Sequence, residues 1–122
     1  MAAYVVSEVE VLDEEQAGRY RKLAAASIAR HGGRYLARGV TPVVSVGTWP
    51  EDGRIIIVEF PTLQRALDWY SSADYAPARA LAETALNRRL LFVDGAPHVD
   101  GDPTVPGLGW PEETLGPGGV HA

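Results

Sequence analysis

The chain has 122 residues, 46% of them hydrophobic and 22% charged, with a formal net charge of −5 and no cysteine. That is enough for one compact domain and too little for two, and it excludes a disulfide framework, a thiol nucleophile and a thiolate metal site. Acidic residues outnumber Lys and Arg 16 to 11, and the arginines are scattered, which argues against nucleic acid and anionic membrane as partners.

No apolar run is long enough to span a bilayer. "MAAYVVSEVE" carries no basic residue ahead of its apolar stretch, so no secretory leader is expected and a cytoplasmic location is. Lys22 is the only lysine. That skew towards arginine, with the many alanines, reads as a GC-rich bacterial gene.

"AYVVSEVEV" (3–11) alternates, with Val5, Ser7, Val9 and Val11 on one face, and predicts a strand. Asp13 and Gln16 have the spacing of a capping box and open a helix to about Arg30. Ala17, Tyr20, Ala24, Ser27 or Ile28, and His31 fall on one helical stripe. Gly32-Gly33 ends it. "RYLARGV" (34–40) and "VVSVGTW" (43–49) read as a strand, or as a hairpin bent at Thr41-Pro42, and "PEDG" (50–53) as a turn. "RIIIVEF" (54–60) is apolar on both faces, as a central strand covered on both sides would be. Pro61-Thr62 opens a second helix, "SADY" interrupts it, and a third runs from about Ala76 to Leu86 with Pro77 in its first turn. "RRLLFVDG" (88–95) is the last strand.

The order β-α-β-β-α-β is the ferredoxin-like α+β pattern. It places helices on one face of an antiparallel sheet and leaves the other bare. Isoleucines on both faces of 54–60 therefore call for a second cover, and two sheets packed face to face in a homodimer would supply it. Residues 1–95 form this domain. Residues 96–122 are a Gly/Pro-rich extension without periodicity, expected to be an extended arm pinned by Trp110 and Leu115.

The polar stretch "RHGGRYLARG" (30–39) suggests a site. His31 would end the helix over a pocket beside Tyr20 and Ser27, where an imidazole can move a proton near neutral pH. Alternatively it serves the negative end of the helix dipole. Arg34 and Arg38, four apart on a strand, share a face by simple alternation. They could hold a carboxylate or enolate, or pair with Glu8, Glu10 or Glu59. Trp69, Tyr70 and Tyr75 would form an aromatic wall for a ligand or plug the core. Asp74 reads as the cap of the third helix. Trp49 could line the mouth of the barrel and Trp110 reach the ligand if the arm crosses it. "HVDGD" (98–102) has alternating His98, Asp100 and Asp102 but no second histidine, so no metal site is expected. No phosphate-binding loop is present, and no cofactor is expected.

GGRYL-RG, EFP-----A--WY-S--Y and the closing R--LFV-G resemble the DUF1330 family of the dimeric α/β-barrel superfamily, over about residues 3 to 95. The resemblance implies a ferredoxin-like protomer, a homodimer whose two sheets form a barrel, and superfamily relatives that include cofactor-free monooxygenases, lactone isomerases, polyketide cyclases and haem enzymes. The expected function is that of a cofactor-independent enzyme of bacterial secondary metabolism. It would cyclise, isomerise or dehydrate a small molecule, with His31 as acid/base, Tyr20 or Tyr75 orienting, Arg34 or Arg38 holding negative charge, and Ser27, Trp49, Trp69 and Trp110 lining the site. The alternative is a metabolite-binding or scaffold protein without catalysis.

Overall fold

The computed structural model describes residues 1–96, which run β1 (Ala3–Val11), α1 (Glu14–Arg30), β2 (Arg34–Val40), β3 (Arg54–Phe60), α2 (Leu63–Ser71), α3 (Ala76–Ala85) and β4 (Leu86–Asp94). The strands form one antiparallel sheet in the order β2-β3-β1-β4. β3 is an interior strand, as its apolar run demands. Cross-strand partners project from the same face. Val5 opposite Val58 and Phe92, and Val9 opposite Arg54 and Arg88, therefore look towards the helices. Val6 opposite Ile57 and Leu91, and Tyr4 opposite Glu59 and Val93, look the other way.

The core lies between sheet and helices. Val5, Val58 and Phe60 meet Ala24 and Ile28 of α1, Ala66 and Trp69 of α2, and Tyr75 and Ala78 at the start of α3. A second cluster of Val9, Ala17, Ala82, Ala85 and Leu86 closes the far end. The alanines let α1 and α3 approach closely, and Tyr20 packs against both clusters.

α1 begins as its sequence foretells, the Asp13 carboxylate accepting from the Gln16 amide at 3.1 Å. The return half of the capping box is not made. The Gln16 side chain accepts from Thr84 Oγ1 at 2.7 Å, and the Asp13 amide donates to Ala85 O. Gly32 takes φ of +79°, the left-handed turn that ends the helix.

Four expectations are corrected. The stretch 43–49 is not a strand but part of the loop between β2 and β3. Pro42 has no amide to donate, Gly47 turns with φ of +90°, and Val43 and Val46 are 96% and 80% exposed. β4 starts at Leu86, directly after α3 and two residues earlier than expected. Asp74 does not cap α3. The residue before the helix is Tyr75, without a side-chain cap, and Ser72 Oγ accepts from its amide at 3.1 Å, while Asp74 faces Arg30 at 3.8 Å.

Finally, Arg34 and Arg38 do not share a face. The pairing of β2 with β3 shifts between Tyr35 and Ala37 and again between Arg38 and Val40. Simple alternation is broken by these irregularities. Arg34 lies opposite Glu59 on the open face, and Arg38 opposite Ile56 on the helix face.

The arm and its anchors Trp110 and Leu115, together with His98, Asp100 and Asp102, lie outside the described residues.

Candidate functional site

Three side chains from three elements meet beneath α1. Tyr20 comes from the middle of that helix, Tyr75 from the turn before α3, and Arg88 from the inward phase of β4. The two hydroxyl oxygens are 2.9 Å apart, and Arg88 Nη1 donates to both, at 3.0 Å to Tyr20 and 2.9 Å to Tyr75. The tyrosine rings stand edge to face, 6.3 Å between centroids, and the guanidinium lies 5.5 Å from the Tyr20 ring centroid.

The electrostatics follow from this packing. Burial raises the Tyr20 pKa well above its ordinary value, Tyr75 adds to the effect, and Arg88 opposes it only in part. Tyr20 therefore keeps its proton at any physiological pH. Burial disfavours the Arg88 charge, but the oxygens of Tyr20 and Tyr75 outweigh it and the guanidinium stays protonated.

Tyr20 forms part of the wall of a cavity of about 510 Å³ between α1 and the sheet. Its floor is apolar, built from Val9, Val11, Ala17, Ile56 and Leu86, and its rim carries Glu14, Arg21, Arg38, Asp52 and Arg54. A smaller space of about 100 Å³ runs deeper under α1, towards Trp69, Tyr35 and Leu90. Tyr20, Arg21, Arg38, Gly39 and Ile56 line both, so the two form one cleft. Arg38 reaches it because of the irregular pairing of β2, and its guanidinium is stacked 4.3 Å from the Tyr35 ring centroid. Burial raises the Tyr35 pKa, against the pull of Arg38.

Of the residues singled out by sequence, Tyr20 and Arg38 come together on the cleft, with Trp69 at its inner end and Tyr75 behind Tyr20. Trp69 packs at a tilt against Tyr75, 4.2 Å between centroids, and its Nε1 donates to Ser27 Oγ at 2.9 Å. Ser27 is fully buried and itself donates to Ala24 O at 2.8 Å, so its hydroxyl is committed to the helix interface. His31 is absent from both cavity walls. Its Nδ1 lies 2.9 Å from the Ser27 carbonyl, to which it donates, and eleven residues of helix, about 16 Å, separate it from Tyr20. Arg34 is on the opposite face of the sheet, its Nε donating to Glu59 at 2.6 Å. Trp49 faces a separate small hollow with Glu8, Glu10 and Arg88, and its Nε1 donates to Gly53 O at 3.2 Å.

Arg88, Arg21, Asp52 and Arg54 were not singled out by sequence. Arg88 had a legible signal. In β4 the phase Leu86, Arg88, Leu90, Phe92 is the inward one, and a charged residue among buried apolar positions requires partners. Among the described residues no cluster of His, Asp and Glu could hold a metal ion, and no helix is long and apolar enough to cross a membrane.

The model of the family called domain of unknown function DUF1330 matches residues 2–96. The chain belongs to this family. No curated protein matches this DUF1330 chain. Among solved structures it is similar to a protein of unknown function from Rhodopseudomonas palustris, with 16% identity, a TM-score of 0.65, and coverage of 80% of this chain and 83% of that one. It is also similar to SnoaB, a cofactor-independent oxygenase from Streptomyces nogalater, with 10% identity, a TM-score of 0.54, and coverage of 83% and 98%. A third is a dimeric protein of unknown function with a ferredoxin-like fold from Bacteroides fragilis, with 14% identity, a TM-score of 0.51, and coverage of 76% and 95%. At these identities the likeness shows the ferredoxin-like fold.

Proposed function

We propose that this protein binds a small oxygenated organic molecule in the cleft beneath α1 and catalyses a cofactor-independent acid/base reaction on it. The observation that carries this reading is the Tyr20–Tyr75–Arg88 cluster, a partly buried polar network beside a cavity of about 510 Å³ with an apolar floor and a charged rim. Convergent polar groups at an apolar pocket of this size are the usual form of a ligand site.

The chemistry is that of enolisation. The Tyr20 hydroxyl polarises a carbonyl oxygen, and Arg38 stabilises the oxyanion that develops there. Of the two carboxylates on the rim, Glu14 is paired with Arg21 at 2.9 Å, so Asp52 is left to take the proton from the carbon next to the carbonyl. Return of that proton to another carbon gives isomerisation. Loss of a β-hydroxyl gives dehydration, and attack by the enolate carbon on a second carbonyl of the same molecule gives cyclisation. The working assembly is a homodimer. The open face of the sheet carries Val6, Ile57, Leu91 and Val93, framed by the pairs Arg34–Glu59 and Arg89–Glu8. A second copy offers a matching apolar face.

2-Tetralone in deuterium oxide tests the reaction. Proton NMR should show exchange of its α-protons accelerated by the protein above the buffer rate, with the acceleration lost in Tyr20→Phe and Asp52→Asn. Exchange at the buffer rate with wild-type protein would count against the catalytic reading.

A further inference from the structure

We infer that the Tyr20 hydroxyl is locked as a hydrogen-bond donor into the cleft, and that the cleft is built for an apolar organic anion presenting an acceptor oxygen to it. The inference rests on the cleft being the ligand site and names the class of its ligand.

The first argument is a count of protons. Arg88 Nη1 has two hydrogens and spends one on each phenolic oxygen. One further hydrogen lies between the two hydroxyls. Were it the Tyr20 proton, the Tyr75 proton would be left without an acceptor in a residue that is 0% exposed. A buried unsatisfied donor is the costly outcome. The Tyr75 hydroxyl therefore donates to Tyr20. Tyr20 then accepts two hydrogen bonds, which fills its oxygen, and holds one unspent proton. Of the two tyrosines only Tyr20 lines the cavity walls, which leaves the cleft as the direction open to its proton. It can donate to a ligand and cannot accept from one. Two donors on its oxygen also polarise its O–H bond and strengthen the hydrogen bond it offers that ligand. Tyr75 and Arg88 are positioning residues in this account.

The second argument is independent and concerns charge. The rim carries Arg21, Arg38 and Arg54 against Glu14 and Asp52. Glu14 is taken by Arg21. Arg38 and Arg54 form no ion pair among the described residues, whereas Arg19, Arg30, Arg34 and Arg89 each do. Arg38 is held in place by stacking on Tyr35. A pre-oriented guanidinium without a carboxylate beside an apolar floor suits a carboxylate or enolate.

The test uses four probes of one shape on the full-length protein: 2-naphthoate, methyl 2-naphthoate, 2-methylnaphthalene and 2-naphthylmethylammonium. Binding is followed by the NMR shifts of the cleft residues. 2-Naphthoate should bind best, the neutral ester about three- to tenfold more weakly, and the hydrocarbon weaker again by a similar factor, each step being one hydrogen bond or charge contact. The ammonium ion should bind weakest. Tyr20→Phe should erase the advantage of the ester over the hydrocarbon, and Arg38→Gln that of naphthoate over the ester. The ranking on wild-type protein stands as a test even if a variant does not fold. Equal binding of all four in the cleft, or preference for the ammonium ion, overturns this inference and leaves the cleft as a binding site. Absence of any shift at cleft residues overturns the site itself and the inference with it.

Discussion

Trp69 Nε1 donates to Ser27 Oγ at 2.9 Å across the interface of α1 and α2, and both residues are at most 2% exposed. The serine hydroxyl is the only acceptor described for that indole. Ser27→Ala strands a buried donor, which costs about 1–3 kcal/mol. A melting curve should shift down by about 4–8 °C per kcal/mol for a domain of this size. An unchanged melting temperature would mean that the indole finds another acceptor.

Tyr20 makes stability depend on alkaline pH. Its pKa is raised in the folded state from an ordinary 10.0, by burial first and by Tyr75 second. The folded protein therefore keeps a proton that the unfolded chain loses above about pH 10. Its contribution is complete below that pH and declines as pH rises past it, with a slope of about 1.4 kcal/mol per pH unit. Urea midpoints measured from pH 9 to 11.5 should fall, and Tyr20→Phe should fall less steeply. Tyr35, raised by burial as well, supplies the slope that remains.

Gly39 has φ of +69° at the second irregularity of β2, with open space where a Cβ would lie. Gly39→Ala meets no clash, but it puts a side chain in the left-handed region at about 1 kcal/mol or more. Because Arg38 adjoins it, the variant should also weaken 2-naphthoate binding more than binding of the methyl ester. Loss of stability without that selective effect would separate the bulge from the site.

On the open face, Leu91 is 56% exposed and lies opposite Val6. With the homodimer as proposed, Leu91→Glu buries a charge at its centre, and sedimentation should move from about twice 13.1 kDa to the single-chain mass. Its effect on the fold of one chain should be small, since the side chain is outside the core. A wild-type protein that sediments as a single chain at micromolar concentration contradicts the dimer.

The fold was legible because most of it is written in local periodicity. Residues 3–11 alternate in sequence and in burial, and Ala17, Ala24, Ser27 and Ile28 keep their helical stripe. The site was legible only in part. Tyr20 stands on the buried stripe of α1, and the aromatic cluster of Trp69, Tyr70 and Tyr75 is continuous in space. Arg34 and Arg38 defeat a reading by alternation, because a break in pairing is a property of two strands and is invisible in one. The polar stretch at 30–39 likewise divides among a helix end, an open face and the cleft. Arg88 belongs to the cluster through contacts 68 and 13 residues away in sequence, which only the folded chain brings together.

The irregular pairing of β2 has a bearing on aggregation. β2 is an outer strand of the sheet, and a straight outer strand presents a row of amides and carbonyls on which another chain can polymerise. Two interruptions within seven residues leave no such continuous row. A broken edge of this kind disfavours lateral growth into fibrils. The irregularity that turns Arg38 inward thus also blunts the edge on which further chains would stack.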